Sequence, residues 1–181
     1  IWIIPNPGDA GSSLGCIAAH QKSFINWKSP FLGHNIEGEY PVDAIIKELK
    51  ENKMVGVANG KAEFGPRALG NRSIIADPRS ETMQKNLNLK VKFRESFRPF
   101  APSVPVEESS NWFEIDTDSP YMLLVADVKK NIRREMSESE KKLFGINKLN
   151  IKRSSIPAVT HVDYSARIQT ISKETNLKYY K

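Results

Sequence analysis

Short apolar runs separated by turns rich in glycine and proline dominate the pattern of hydrophobic and polar positions along the chain. Apolar runs at residues 54–58 and 121–128 predict strands, and the first of these is predicted to be buried. Apolar residues at helical spacing predict a helix that starts at Pro41 and ends near Asn52. Further strands are predicted at residues 2–4, 72–76, 100–106, 158–160 and 167–171. Further helices are predicted at residues 12–21 and after Ser80, which would be the N-cap.

Other segments lack a clear period. Residues 23–40 are rich in turn formers and predict a linker, and residues 59–72 predict a long glycine-rich loop. Residues 129–150 are charged and predict an exposed insertion or flap. Because helices and strands are mixed, with more strands than helices in the second part, the expected fold class is α/β or α+β.

Length and composition describe an ordinary globular protein. The 181 residues suffice for one sizeable core, or for one domain plus a fragment of another. The hydrophobic share of 39% and the charged share of 27% are not those of a disordered chain. The chain starts without Met on a predicted strand and stops within a predicted helix at residues 177–181, so we expect an excised piece of a longer polypeptide.

Several partner classes are not expected. No apolar run approaches the roughly 20 residues that span a bilayer, so we expect no membrane partner. Cys16 is the only cysteine, which fits a reducing compartment and a cytoplasmic location. The three histidines, His20, His34 and His161, lack the spacing of metal ligands. We therefore expect no metal site from this chain alone.

Positive charge is concentrated in one region. The net charge is +6, which permits an anionic partner but is also typical of a solvated surface. Arginine forms forked contacts with phosphate and carboxylate groups. Residues 67–98 contain a cluster of arginines, namely Arg67, Arg72, Arg79, Arg94 and Arg98.

The first candidate binding segment covers residues 59–73. Its glycines permit close backbone approach to a ligand. Its polar side chains could bind an anion, and they are Lys61, Arg67, Asn71, Arg72 and Ser73. Gly65 is the glycine included in the candidate site. The alternative is a solvated loop whose arginines are structural.

The second candidate segment covers residues 92–103. If residues 92–94 are extended, Lys92 and Arg94 point to one face and Phe93 to the other. Two adjacent cations repel each other unless an anion bridges them, although Glu95 could neutralise them instead. Arg98 precedes a proline and would be held extended.

Two further segments leave function open. His161, Asp163 and Arg167 could face a ligand, or they could form an inert turn. The predicted strand, glycine turn and helix of residues 2–21 could cradle a phosphate, or could be a tight turn only. No nucleophile elbow of the Gly-x-Ser-x-Gly type is present.

Together these segments resemble the O-carbamoyltransferases of the nodulation and antibiotic-tailoring type. The matching segments cover nearly the whole chain: residues 8–15 (GDAGSSLG), 63–73 (EFGPRALGNRS), 76–79 (ADPR), 94–102 (RESFRPFAP) and 157–163 (PAVTHVD). The resemblance implies a metal-binding, TsaD-like domain followed by a YrdC-like domain with a twisted mixed sheet and flanking helices. Residues 1–28 would be the tail of the first domain, and residues 29–181 an incomplete second domain.

The resemblance also implies a reaction. The YrdC-like domain would join carbamoyl phosphate and ATP, with Mg²⁺, into carbamoyl adenylate and release pyrophosphate. The TsaD-like domain of the same chain would hold a metal ion and pass the carbamoyl group to a hydroxyl of a sugar or natural product. Lys92 and Arg94 would be the Lys-x-Arg pair and, with Arg67, the catalytic residues. Substrate-binding residues would be Lys61, Gly65, Asn71, Arg72, Ser73, Arg98, His161, Asp163 and Arg167.

The chain departs from the family pattern at two points within this domain. The family's Asn-Thr-Ser-Phe-Asn segment is absent, so we expect this piece to be catalytically incomplete. Tyr164 occupies a position where glycine is common. Two other functions remain open. A basic RNA-binding module would need stacking aromatics, but the phenylalanines are spaced like core anchors; they are Phe64, Phe93, Phe97 and Phe100. A purely structural domain would bind no nucleotide.

Overall fold

The computed structural model describes residues 6–51, 53–149 and 151–181, so the strand predicted at residues 2–4 lies outside the described residues. The helices are α1 (Asp9–Gln21), α2 (Val42–Lys50), α3 (Met83–Lys90), α4 (Ser109–Trp112), α5 (Glu138–Lys141), α6 (Ile146–Leu149) and α7 (Lys173–Tyr180). A 3₁₀ turn, Val106–Glu108, precedes α4. No helix in these ranges is long and apolar enough to cross a membrane.

The strands pair two by two. They are β1 (Phe31–Ile36), β2 (Val55–Ala58), β3 (Gly60–Glu63), β4 (Arg72–Ile75), β5 (Ser103–Pro105), β6 (Val125–Asp127), β7 (Ser165–Arg167) and β8 (Gln169–Ile171). The pairs β1–β3, β2–β4 and β6–β7 are antiparallel, and β5–β8 is parallel. Small sheets with flanking helices confirm the predicted α+β class.

The largest buried cluster lies where the second half of the chain folds on itself. Phe113, Val128 and Ile168 are among its fully buried side chains, and Phe113 forms a bridge with Val128. Ala166, in the middle of β7, is also fully buried in this cluster. Because side chains alternate along a strand, Ser165 and Arg167 point to the opposite face from Ala166.

Several predicted elements are confirmed with shifted ends. The helix predicted at residues 12–21 begins earlier, at Asp9, and the helix predicted after Pro41 is α2. The strands predicted at residues 54–58 and 72–76 are β2 and β4. The helix after Ser80 is α3, but Thr82 is its N-cap and no side-chain hydrogen bond caps it.

The predicted linker and loop contain a strand pair that the sequence pattern misses. Residues of β1 pair with β3, with Phe31 opposite Glu63 and Ile36 opposite Gly60. Most of β1 is exposed, so it has no alternation of buried and exposed positions. The predictions of a linker at residues 23–40 and of an unbroken loop at 59–72 were therefore wrong.

Two other strand predictions need correction. The strand predicted at residues 121–128 is reduced to β6 and a bridge at Val128. Residues 158–160 form a buried turn instead of a strand, held by a hydrogen bond from the Ala158 amide to the Pro78 carbonyl. A short apolar run indicates burial, but it does not separate a strand from a buried turn.

Residues 129–149 are mostly exposed and contain the short helices α5 and α6. The base of this segment is closed by a bridge between Arg133 and Ser154 and by a 2.7 Å hydrogen bond from the Arg134 amide to the Arg153 carbonyl. The predicted exposed insertion is therefore joined to the core along its base.

Candidate functional site

An open cavity of about 940 Å³ brings together side chains from all three candidate segments. The predicted site residues that line it are Arg67, Ser73, Lys92, Arg94, Arg98, His161 and Arg167. These residues are far apart in sequence, so the fold assembles them. The other predicted site residues, Lys61, Gly65, Asn71, Arg72 and Asp163, do not line this cavity.

Glu63 shapes the loop that carries Arg67. Its Oε1 atom accepts hydrogen bonds from the backbone amides of Leu69 (2.8 Å), Asn71 (2.7 Å) and Arg72 (3.1 Å). A carboxylate that satisfies several otherwise unpaired amides fixes a loop without regular structure. Sequence reasoning missed this role, although an acidic residue at the start of a glycine-rich loop is a usable signal.

The far end of the same loop is fixed by Ser73 and Gly70. Ser73 Oγ accepts a 2.9 Å hydrogen bond from the Gly70 amide. Gly70 has a φ of +114°, and a Cβ atom there would lie 2.3 Å from the ring of Tyr179 in α7. Glycine is therefore required by both the backbone conformation and the packing of α7.

Arg72 has a structural role. Its guanidinium group donates hydrogen bonds of 2.7 to 3.2 Å to the backbone carbonyls of four residues. These residues are His34, Asn59, Gly60 and Asn71. These bonds link β1, β3 and the end of β2. Because the donors already have partners, we do not include Arg72 in the proposed ligand site.

Asn71 and Gly65 also act within the fold. The buried Asn71 side chain donates a 2.8 Å hydrogen bond to the Lys61 carbonyl and accepts one of 2.8 Å from Asn176. A Cβ atom at Gly65 would overlap the side chain of Asn6, which itself binds the Phe64 carbonyl. The Lys61 side chain is exposed on β3.

The buried Asn88 orients Arg94. Asn88 lies in α3 and is 0% exposed, and its Oδ1 accepts a 2.6 Å hydrogen bond from Arg94 Nε. Its Nδ2 donates to the carbonyls of Ser96 (3.1 Å) and Arg98 (2.8 Å). The Arg94 guanidinium also lies 5.0 Å from the Phe100 ring centroid. Sequence reasoning missed Asn88, whose signal is an amide on the buried side of a helix beside Leu87.

Residues 92–94 do not have the extended conformation that would point Lys92 and Arg94 to one face. The chain wraps around the end of α3, because the Lys92 and Arg94 amides bind the carbonyls of Leu87 and Asn88. Phe93 has a φ of +47° and is 85% exposed, and Phe97 is 42% exposed. These two phenylalanines are therefore not the core anchors that their spacing suggested.

Most cations of the cavity have no carboxylate partner among the described residues. Burial lowers the pKa of Arg167, and the nearby charges of Arg67 and Arg94 lower this pKa further. Arg167 Nε is buried without a hydrogen-bond partner. Within the described residues, Arg67, Lys92, Arg94 and Arg167 form no salt bridge, whereas Arg98 pairs with Glu95 (3.0 Å) and Arg79 with Asp77 (2.6 Å). An anion would stabilise this arrangement.

His161, Asp163 and Ser165 form a hydrogen-bonded chain beside the arginines. Ser165 Oγ lies 2.9 Å from His161 Nδ1 and 2.7 Å from Asp163 Oδ1, which also accepts the Ser165 amide. Burial lowers the pKa of His161; Asp163 opposes this shift and Arg167 adds to it. Hydrogen bonds from Ser165 lower the pKa of Asp163.

Tyr164 lies in the tight turn of this chain and has a φ of +67°, a region that favours glycine. This conformation fits the glycine that is common at this position in the resembling family. The Tyr164 ring lies 5.2 Å from the Arg133 guanidinium, which connects the turn to the 129–149 segment.

A family model described as Carbamoyltransferase C-terminus matches residues 46–181. The chain belongs to this family. The match begins within α2 and includes every residue that lines the cavity described above. The resemblance seen in the sequence motifs is therefore confirmed.

Relatives in several organisms cover nearly all of the chain. An uncharacterised protein of Synechocystis sp. is 43% identical over 100% of this chain, which corresponds to 34% of that protein. Nodulation protein U of Sinorhizobium fredii is 34% identical over 98% of this chain and 31% of that protein. Nodulation protein NolNO of the same species is 37% identical over 94% of this chain and 22% of that protein. The chain thus spans about a third or less of these relatives.

Proposed function

We propose that the chain is part of an O-carbamoyltransferase and that its cavity binds carbamoyl phosphate and ATP. The observation that supports this proposal is the grouping of Arg67, Arg94 and Arg167 around one cavity without a carboxylate partner in the described part of the chain. Both substrates are polyanions that repel each other. Fixed cations in a partly enclosed site reduce this repulsion at low cost in reorganisation.

Arg94 and Arg67 are held in place by different contacts. Arg94 is held by Asn88 and the Phe100 ring, so its free guanidinium nitrogens are already oriented. Arg67 lies on the loop that Glu63 shapes. We assign Lys92 and Arg94 to phosphoryl oxygens and Arg67 to an oxygen of the phosphate or carbamoyl group. Arg98 also lines the cavity and would exchange its partner Glu95 for a ligand.

The proposed reaction balances with one water molecule. Water releases carbamate and inorganic phosphate from carbamoyl phosphate, and a carbamate oxygen then attacks the α-phosphorus of ATP. Pyrophosphate leaves, and carbamoyl adenylate is formed. Mg²⁺ would enter with the phosphates of ATP, because Asp77, the carboxylate among the residues that line the cavity, is bound to Arg79.

The second half of the reaction belongs to the rest of the protein. The relatives are about three times as long as this chain or longer, and a TsaD-like domain is the proposed site of transfer. In this proposal residues 1–28 are the tail of that domain and residues 29–181 belong to a YrdC-like domain. The acceptor is a hydroxyl of a sugar or natural product, and a cytoplasmic location remains a prediction.

One observation favours RNA binding as a second candidate. The exposed Phe93 lies between Lys92 and Arg94, and an exposed aromatic among cations is typical of a surface that stacks on bases. RNA binding would weaken steeply with rising salt, since it depends on displacing counterions. Binding of a compact diphosphate or triphosphate inside the cavity would not require Phe93.

Isotope exchange between pyrophosphate and ATP tests the proposed reaction. The full-length protein should incorporate labelled pyrophosphate into ATP only when carbamoyl phosphate is present. Arg94→Ala should slow this exchange by at least about tenfold, because a hydrogen-bonded charge is lost. Lys141→Ala is the control, because Lys141 is exposed, pairs with Glu138 and does not line the cavity. Absence of exchange together with salt-sensitive RNA binding that requires Phe93 would favour the second candidate.

A further inference from the structure

The cations of the cavity can only donate hydrogen bonds. Arg67, Lys92, Arg94 and Arg167 carry no acceptor atom, so they match phosphate and carbonyl oxygens. Carbamoyl phosphate also has an amino group, whose N–H bonds need an acceptor. A site that distinguishes the carbamoyl group from other acyl groups therefore requires an acceptor among these donors.

The hydrogen-bonded chain at β7 fixes the tautomer of His161. The Asp163 carboxylate only accepts, so it receives the single hydroxyl proton of Ser165. Ser165 Oγ then has only lone pairs to offer to His161, and Nδ1 of His161 must be the donor across the 2.9 Å contact. In a neutral imidazole, the other ring nitrogen, Nε2, consequently holds the lone pair.

Burial lowers the pKa of His161 despite the opposing charge of Asp163, and Arg167 adds to this shift, so the neutral imidazole is favoured. Nε2 forms no hydrogen bond with a described residue, and it is not one of the fully buried polar atoms without a partner. His161 therefore has an accessible acceptor atom and lines the cavity together with the arginines.

The carboxylate, amide and serine oxygens of the side chains that line the cavity already form hydrogen bonds, and Ser103 Oγ accepts one from the Tyr179 hydroxyl. Asp77 binds Arg79, and Ser73 Oγ accepts from the Gly70 amide. Gln169 Oε1 accepts from Ser103, while its Nε2 donates to the Leu69 carbonyl. His161 is thus the side-chain acceptor that remains for a ligand among these groups.

We propose that His161 Nε2 accepts a hydrogen bond from the amino group of carbamoyl phosphate, and that this contact selects carbamoyl phosphate over acyl phosphates of the same charge. Ser165 and Asp163 are positioning residues that hold the required tautomer. This inference rests on the proposed function of the cavity. The adenine of ATP also carries an amino group, so the two ligands are tested separately.

Calorimetric titration of the full-length protein with carbamoyl phosphate, acetyl phosphate or ATP tests the contact. Acetyl phosphate has the same charge, but a methyl group replaces the amino group. Wild type should bind carbamoyl phosphate more tightly than acetyl phosphate by about tenfold, the value of one hydrogen bond in a desolvated site. His161→Ala should remove this preference by weakening only the binding of carbamoyl phosphate. His161→Gln supplies another acceptor and should retain part of the preference.

The positioning role has its own test. Ser165→Ala should reduce the preference for carbamoyl phosphate, and the ¹⁵N chemical shifts of the imidazole should show a mixture of tautomers. Ser165→Thr keeps the hydroxyl and should restore both the single tautomer and the preference. A purely structural role for Ser165 would leave the tautomer signal of the folded variant unchanged.

Three results would overturn the inference. His161→Ala could weaken the binding of carbamoyl phosphate and acetyl phosphate equally, or it could weaken the binding of ATP instead. Either result would contradict the proposed contact. Equal binding of both acyl phosphates by wild type would show that the cavity binds anions without selecting the amino group. Failure of wild type to bind either acyl phosphate would instead contradict the proposed function itself.

Discussion

Arg67 and Arg72 belong to one motif, but their guanidinium groups have different surroundings. Arg67 is exposed and lines the cavity without a salt bridge among the described residues. Arg72 donates to backbone carbonyls that belong to separate strands and loops. The same residue type therefore serves a ligand site at one position and the fold at the other.

This contrast predicts different effects on stability. Arg72→Ala should lower the free energy of unfolding by about 2 kcal/mol, because several carbonyls lose a charged donor. Arg67→Ala should change this free energy by less than about 0.5 kcal/mol, as expected for an exposed side chain. Urea denaturation of both variants measures the difference. Equal losses in the two variants would show that Arg67 also has a structural role.

His161 should make stability depend on pH. Its pKa in the folded protein lies below its ordinary value of 6.5, because of burial and Arg167, with Asp163 opposing. As pH falls below about 6.5, the unfolded chain binds the proton more readily, so the free energy of unfolding should decrease. It should level off once the pH is below the pKa of the folded state.

Urea denaturation at a series of pH values measures this effect. His161→Gln lacks the titrating group and should lose the part of the pH dependence that lies just below the ordinary pKa. Asp163, whose pKa is lowered chiefly by hydrogen bonds from Ser165, titrates at more acidic pH and does not contribute to this part of the pH dependence. The same slope in wild type and variant would contradict a lowered pKa for His161.

At the scale of elements, α3 carries the amide that orients the second segment. Asn88→Ala removes the hydrogen bonds to Arg94 and to the carbonyls of Ser96 and Arg98. We expect a loss of about 2 kcal/mol in the free energy of unfolding and weaker anion binding, because Arg94 loses its orientation.

Asn86→Ala is the matched control, since Asn86 lies in the same helix and its side chain forms no hydrogen bond with a described residue. Thermal denaturation and phosphate titration of both variants measure the two effects. A loss in Asn86→Ala as large as in Asn88→Ala would mean that helix propensity, and not the buried amide, causes the change.

The elements also show how far the sequence predicts the structure. Continuous apolar runs and helical spacing predicted β2, β4 and α2, because burial of a periodic face determines them. The exposed strand β1 was missed, since backbone pairing with β3 determines it and leaves little apolar pattern. The turn at Phe93 was missed because the hydrogen bonds that end α3 override the local preference for an extended chain.

The candidate site was predicted in part. Motif composition located the residues that line the cavity, such as Arg94 and Arg167, but it did not separate them from Arg72. Glu63 and Asn88 were missed because their importance depends on which backbone groups lie near them after folding. Sequence composition therefore predicts the charge of a site better than its supporting contacts.

At the scale of the molecule, the fold places five basic side chains of a chain with a net charge of +6 around one cavity, namely Arg67, Lys92, Arg94, Arg98 and Arg167. The parallel pair β5–β8 joins the segment after residue 100 to the end of the chain, and α7 packs on the loop at Gly70. Because these long-range contacts join segments that line the cavity, the binding surface depends on the packing of distant parts of the chain.

Calorimetric titration of the full-length protein with carbamoyl phosphate tests most directly the claim that this cavity binds an anionic carbamoyl donor. We predict that Arg67→Ala and Arg94→Ala each weaken binding by at least about tenfold, because each removes a charged donor from the cavity. Lys141→Ala, which removes an exposed cation that pairs with Glu138 and does not line the cavity, should bind as wild type does. Unchanged affinity in both Arg67→Ala and Arg94→Ala would contradict the account.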